Sequence, residues 1–247
     1  MKKLISGLVA LGAFGGWLSH APVARSEEVG EIVNIATQAV FVPTGFDDND
    51  EVVVTLDGYL PNSCYRVTDA LVTSDLATKT ITIQQQAKYV DGTCLMALIP
   101  YTTSVKLGVL PEGDFKIVSN RGNMTEPLKV ERSTNAGPDD FLYAPVDNVY
   151  IQRLQGGGTV ATIEGRFTNT CMHWKEHKIF YTGKTIQLLP IIEVGDQNCE
   201  EREVRFSQVI PIADLQPGRY LLHVRSLNGA SLNNVFPMFE HGDPIRN

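Results

Sequence analysis

Hydrophobic residues recur along this chain in short runs, alternating or β-branched, and Gly, Pro, Asn or Asp sits between neighbouring runs. In the first half these runs are residues 39–42, 52–56, 64–67, 78–86, 94–99, 105–110, 115–119 and 128–131. In the second half they are 149–151, 160–163, 171–181, 185–194, 204–206, 209–215, 220–226 and 235–239. Ile81 and Ile83 share one face of their run, and Asp91-Gly92 reads as a two-residue turn just before Cys94. No window sustains a period of 3.6 residues, so the pattern predicts β-strands throughout and almost no helix.

The pattern occurs twice. Leu110 and Leu215, Gly113 and Gly218, and Phe115 and Tyr220 are each 105 positions apart, as are Cys94 and Cys199 and Tyr101 and Phe206. An offset of 107 carries Gly58, Asn62 and Cys64 onto Gly165, Asn169 and Cys171. The loop at 155–158 is two residues shorter than the acidic loop at 47–51, and this difference is expected to account for the change of offset. Two copies in 247 residues imply two domains, each long enough to bury its own core. The turn-forming stretch from Ser133 to Asp140 falls between them. The expected organisation is a first domain over 27–133, a linker over 134–140 and a second domain over 141–247. Phe141 and Tyr143 are assigned to the first strand of the second copy, the competing reading being a contact between the domains.

Met1-Lys2-Lys3 followed by an apolar run to Phe14 has the form of a secretory signal peptide, with small residues Ala24 and Ser26 at the peptidase positions. Residues 1–26 are therefore expected to be removed, leaving no transmembrane segment in the mature form and a periplasmic or extracellular protein. Their loss takes away Lys2, Lys3 and Arg25 and no acid, moving the formal charge from −7 to −10. An acidic protein without a basic cluster is not expected to bind nucleic acid or anionic lipid.

Two cysteines in each copy of an exported chain read as disulfides. The repeat selects Cys64 with Cys94 and Cys171 with Cys199, since each copy then carries the same bridge.

Repeated short strands with regular turn signals predict an all-β protein of two tandem β-sandwiches. Leu215-Gln216-Pro217-Gly218-Arg219-Tyr220 followed by Leu222 and Val224 resembles the turn into the sixth strand of immunoglobulin-like and fibronectin type III domains, modules common in bacterial envelope proteins. The resemblance implies that Leu110 and Leu215 fill the core, that Gly113 and Gly218 permit the turn, and that the Tyr220 hydroxyl returns to a backbone group. Phe115 stands in the tyrosine's place in the first copy, and each second cysteine precedes the corner aromatic by 21 residues instead of following it.

His173-Trp174-Lys175-Glu176-His177 spells H-x-x-E-H, an order used by zinc peptidases with the acid as general base. On a helix His173 and His177 would share a face. The repeat places them in a strand, where His173, Lys175 and His177 are expected on one face and Trp174 and Glu176 on the other. Asp47, Asn49 and Glu51 offer oxygens for a Ca²⁺ ion but lack the glycine and distal glutamate of an EF-hand. Motifs for a serine or cysteine nucleophile and for a phosphate-binding loop are absent from the sequence, and no cofactor is implied. The leading expectation is a non-enzymatic binding or structural module of the cell envelope that engages a protein or glycan through its loops or sheet faces. A metal-dependent hydrolase built on His173, Glu176 and His177 and a secreted protease inhibitor are the alternatives.

Overall fold

A computed structural model describes residues 30–119, 123–137, 139–155, 158–195 and 198–239. The signal-peptide reading of residues 1–26 lies outside the described residues. The first half contains β1 (Glu31–Asn34), β2 (Ala39–Phe41), β3 (Phe46–Asp47), β4 (Val52–Leu60), β5 (Tyr65–Val67), β6 (Leu71–Asp75), β7 (Thr80–Gln84), β8 (Gln86–Tyr89), β9 (Ile99–Gly108), β10 (Gly113–Ser119) and β11 (Met124–Glu131). The second contains β12 (Val146–Arg153), β13 (Thr159–Phe167), β14 (Met172–Thr182), β15 (Thr185–Val194), β16 (Val204–Ile212), β17 (Gly218–Arg225) and β18 (Ser231–Met238). The described residues include no helix.

Each half is a β-sandwich. In the first, the sheet β2-β4-β9 faces β3-β11-β10-β7-β6 across a core of Val54, Leu56, Ile81, Ile83, Phe115 and Ile117, and β1-β8-β5 forms a small third sheet. In the second, β12-β13-β16 faces β14-β15-β17-β18 across Ala161, Ile163, Ile186, Leu188, Leu222 and Val224. Every sheet draws its strands from one half. The bridges are Cys64–Cys94 and Cys171–Cys199, the pairing expected from the repeat.

Positions related by the two offsets occupy matching places. Gly58 faces Tyr101 across β4 and β9, as Gly165 faces Phe206 across β13 and β16. A Cβ on either glycine would come within 2.8 Å of the opposing ring, so an aromatic lying over a bare backbone explains the Gly–aromatic pairing. The side-chain oxygens of Asn62 and Asn169 accept the amide N–H of Cys64 and Cys171 at 2.9 and 3.0 Å. Gly113 and Gly218 share φ values of 153° and 154°, a conformation that side chains rarely adopt.

Four expectations are corrected. The two-residue change of offset lies in the hairpins after β6 and β14: Asp75 and Thr80 enclose four residues, whereas Thr182 and Thr185 enclose two, with Gly183 at φ 56°. The acidic loop precedes Gly58, which already obeys the longer offset. Asp91-Gly92 does not close a hairpin, because β8 and β9 belong to different sheets. The run at 94–98 is a loop, its apolar side chains facing solvent. Phe141 and Tyr143 precede the first strand of the second half, which begins at Val146.

The sheets also depart from the resemblance. β7 pairs with β10, and β15 with β17, in parallel, whereas immunoglobulin-like sandwiches are built from antiparallel sheets. The likeness holds at the level of a two-sheet sandwich. Leu110 is buried, and Leu215 packs against the core of the second half. Phe115 and Tyr220 are buried, Tyr220 stacking on Phe236 at 6.1 Å; among the described residues its hydroxyl meets no backbone partner.

Candidate functional site

Alternation along β17 sends Tyr220, Leu222 and Val224 into the core and leaves Arg219, Leu221, His223 and Arg225 on the outer face. That outer face is nonetheless buried, because the first half lies on it. Asp57, projecting from the outer face of β4, accepts two hydrogen bonds from the Arg219 guanidinium at 2.6 and 2.7 Å. Asp50 accepts one from Arg225 at 2.7 Å, with both side chains almost wholly buried. Thr44 donates to Gln187 and Asn233 to Ser104 across the same junction, and Phe46 meets His223 edge-on at 6.3 Å. Tyr143, at the end of the linker, is buried beneath Arg225 with its ring 5.7 Å from the guanidinium carbon.

The acidic loop is part of this junction. Asp47 accepts the Asn49 amide N–H and Asp50 the Asp47 amide N–H. Asp48 accepts the Ser133 amide N–H at 2.8 Å, and the Asn49 side-chain amide donates to the carbonyls of Asn135 and Gly137. Asp139 in turn accepts the amide N–H groups of Asn228 and Gly229 in the second half. Glu51 pairs with Lys106 at 2.7 Å. These oxygens bind the linker and its neighbours, so the linker is held at both ends and does not act as a free hinge.

Burial pushes the Arg225 guanidinium down, but the Asp50 hydrogen bond and charge outweigh it and its pKa ends above the ordinary value. His223 has no such partner. Burial first, and then the Arg225 charge, lower its pKa to about 4 against the opposing hydrogen bond to Asn233 at 2.7 Å. The Asn233 carbonyl oxygen accepts that bond, so Nδ1 carries the proton and the ring is neutral at pH 7. The unfolded chain takes up a proton near pH 6.5 that the native state refuses until about pH 4. Stability is therefore expected to fall as pH falls through that window, by about 3 kcal/mol from this residue. Urea unfolding between pH 7 and 4 checks it: His223→Gln should flatten the acid limb by that amount.

The H-x-x-E-H strand is placed differently from the sequence expectation. A β-bulge at Lys175 interrupts β14 between Trp174, opposite Ile192, and Glu176, opposite Ile191. Trp174 and Ile179 both pack on the core although they are five residues apart, and an extra residue is what lets an odd spacing keep one face. The bulge puts His173 and Glu176 on the outer face and turns His177 to the side of Trp174, 6.5 Å from its ring. The two histidines thus lie on opposite faces of one strand and do not converge on an ion. Among the described residues no group of three His, Cys, Asp or Glu is arranged to hold a metal.

The remaining distinctive surface is the 94–98 loop. Leu95, Met96 and Leu98 are 68%, 81% and 69% exposed. Their backbone is anchored: Cys94 is bridged to buried Cys64, the Leu95 amide N–H donates to the Ser63 hydroxyl at 2.7 Å, and the Ser63 amide N–H donates to the Leu95 carbonyl. The second half makes the same pair of bonds between Thr170 and Glu200, yet there the loop reads Glu200-Glu201-Arg202-Glu203. One frame thus presents an apolar tip in the first half and a charged tip in the second. Sequence reasoning missed it by assigning the apolar run to a buried strand. Elsewhere, a cleft of about 550 Å³ opens between β2, β11 and the turn after β14. Glu126 is the one carboxylate on its described walls, beside Lys129 and Lys184.

No curated protein and no solved structure matches the chain. Residues 54–130, about a third of the chain and within the first sandwich, match the family model of the ORF11 beta-sandwich domain.

Proposed function

We propose that this protein is an exported, non-enzymatic binding or structural module of the bacterial cell envelope, and that the first sandwich meets a protein or glycan partner through its 94–98 loop. The exposure of Leu95, Met96 and Leu98 on a disulfide-anchored frame carries this reading. Large apolar side chains held out in water are costly unless another surface covers them, and the frame fixes them before binding, so little ordering entropy is lost. The charged loop at the corresponding place in the second half argues that the scaffold does not itself require apolar residues there.

The test is crosslinking in the native cell, comparing the natural chain with a variant carrying Leu95→Ser, Met96→Ser and Leu98→Ser. Stability should change by less than about 0.5 kcal/mol per site, since the side chains are exposed. Capture of the partner should fall by roughly thirtyfold or more, as expected for loss of a central anchor. Unchanged capture removes the loop from the binding surface.

A further inference from the structure

Asn228-Gly229 is the one Asn-Gly pair in the sequence. It forms the two-residue turn between β17 and β18, with φ of 61° and 71° at the two positions, and the Ala230 amide N–H donates to the Leu227 carbonyl across it at 3.4 Å. Left-handed backbone at both central residues is what a type I′ turn requires, and Asn followed by Gly meets that requirement readily. Asn228 is exposed, and among the described residues its side-chain amide makes no hydrogen bond. The turn needs nothing from the linker, yet the linker brings a carboxylate onto its tip from 89 and 90 residues away. One oxygen of Asp139 accepts the Asn228 amide N–H at 2.9 Å and the other the Gly229 amide N–H at 3.0 Å.

We propose that Asn228 is a self-modification site locked by the linker: it stays asparagine while Asp139 holds the Gly229 amide, and it converts to aspartate or isoaspartate once the linker lets go. The conversion needs only water. The Gly229 nitrogen gives its proton to hydroxide and adds to the Asn228 Cγ, an approach that a following residue without a Cβ leaves open. The bond from Cγ to the side-chain nitrogen breaks, and that nitrogen takes a proton from water and leaves as ammonia. Water then opens the cyclic imide, at Cγ to give aspartate or at the backbone carbonyl carbon to give isoaspartate. Asp139 opposes the first step, because a nitrogen stripped of its proton would face a carboxylate at hydrogen-bond distance. The paired hydrogen bonds also fix the peptide between the two residues, so ring closure waits on local opening. Either product bars the linker's return. Aspartate sets a second carboxylate beside Asp139, while Arg225 is already bonded to Asp50. Isoaspartate adds a carbon to the main chain between the two N–H groups that Asp139 spans. The modified hairpin is thus a lasting record of linker release. The site shares no residue with the 94–98 loop, so the two proposals stand or fall separately.

Peptide mapping by mass spectrometry, during incubation of the full chain at neutral pH, tests it. The natural chain unfolded in urea sets the unrestrained rate of conversion at Asn228, and the folded chain should lie well below it. Asp139→Ala should convert roughly tenfold faster than the natural chain or more, since the rate follows the fraction of molecules with the hairpin released and the variant lacks two hydrogen bonds to a charged acceptor. Asp139→Asn, which keeps one acceptor oxygen, should fall between the two. Asn228→Asp, whose left-handed backbone aspartate tolerates, should speed hydrogen exchange at the Gly229 amide by weakening the linker's hold. Circular dichroism shows whether the variants are folded; if Asp139→Ala is not, Asp139→Asn and the folded and unfolded natural chain still decide. Conversion in the folded natural chain at the unfolded rate, or a rate indifferent to Asp139, overturns the proposal. Unchanged exchange in Asn228→Asp overturns the bar to the linker's return.

Discussion

Arg225→Met is expected to destabilise the protein by about 3–5 kcal/mol and to break its unfolding into two steps. The Asp50 carboxylate is 2% exposed and accepts the Arg225 guanidinium at 2.7 Å, and Asp139 lies 3.9 Å from the same nitrogen. Removing the cation leaves Asp50 buried beside no equivalent charge, and Asp139 is already pushed up by burial. The cost is the desolvation of a stranded carboxylate, which far exceeds the net worth of the pair itself. Replacing both partners with apolar residues, Arg225→Met with Asp50→Leu, should therefore recover most of the loss. The junction also couples the sandwiches, since neither outer face is solvated while the other half covers it. The natural chain should unfold in urea as one transition, and Arg225→Met should separate two. A single transition with unchanged midpoint in the variant would show that the pair is not buried in solution.

Replacing Cys171 and Cys199 together with serine should cost about 3.5 kcal/mol, from loop-closure entropy returned to the unfolded chain, with a similar loss for Cys64 and Cys94. The bridges span sequence separations of 28 and 30, so their entropic terms are nearly equal. In a chain of 247 residues that loss lowers the melting temperature by roughly 10 °C. The functional consequences differ. Loss of Cys64–Cys94 unties the exposed Leu95–Met96 tip, so partner capture should fall along with stability, whereas loss of Cys171–Cys199 should reduce stability and leave capture intact. Calorimetry paired with crosslinking reads both. Equal capture by the two variants would argue against the loop as the binding element.

The disulfide pairing was readable because two cysteines recur at fixed offsets, and the strands because β-branched runs are punctuated by turn formers. The misreadings have a common cause. Residues 94–98 are as apolar as a buried strand, and composition does not distinguish a chain covered by its own core from one held out to be covered by something else. His173 and His177 alternate onto one face in an ideal strand, but the need to bury both Trp174 and Ile179 introduces a bulge that separates them. The acidic loop resembled a cation site because spacing shows how many oxygens are present, not which amides already hold them.

Alternation assigns each side chain to one of two faces, and by that rule the sequence alone placed Leu222 and Val224 on a shared face; the structure shows Arg219, His223 and Arg225 standing opposite. Alternation says nothing of what lies against the opposite face. Only the tertiary structure decided that the face bearing two arginines and a histidine is buried, by bringing Asp50 and Asp57 to it from more than 160 residues away. Burying those charges is favourable only when both partners arrive together. The junction is thus a property of the assembled pair of sandwiches and of neither strand by itself.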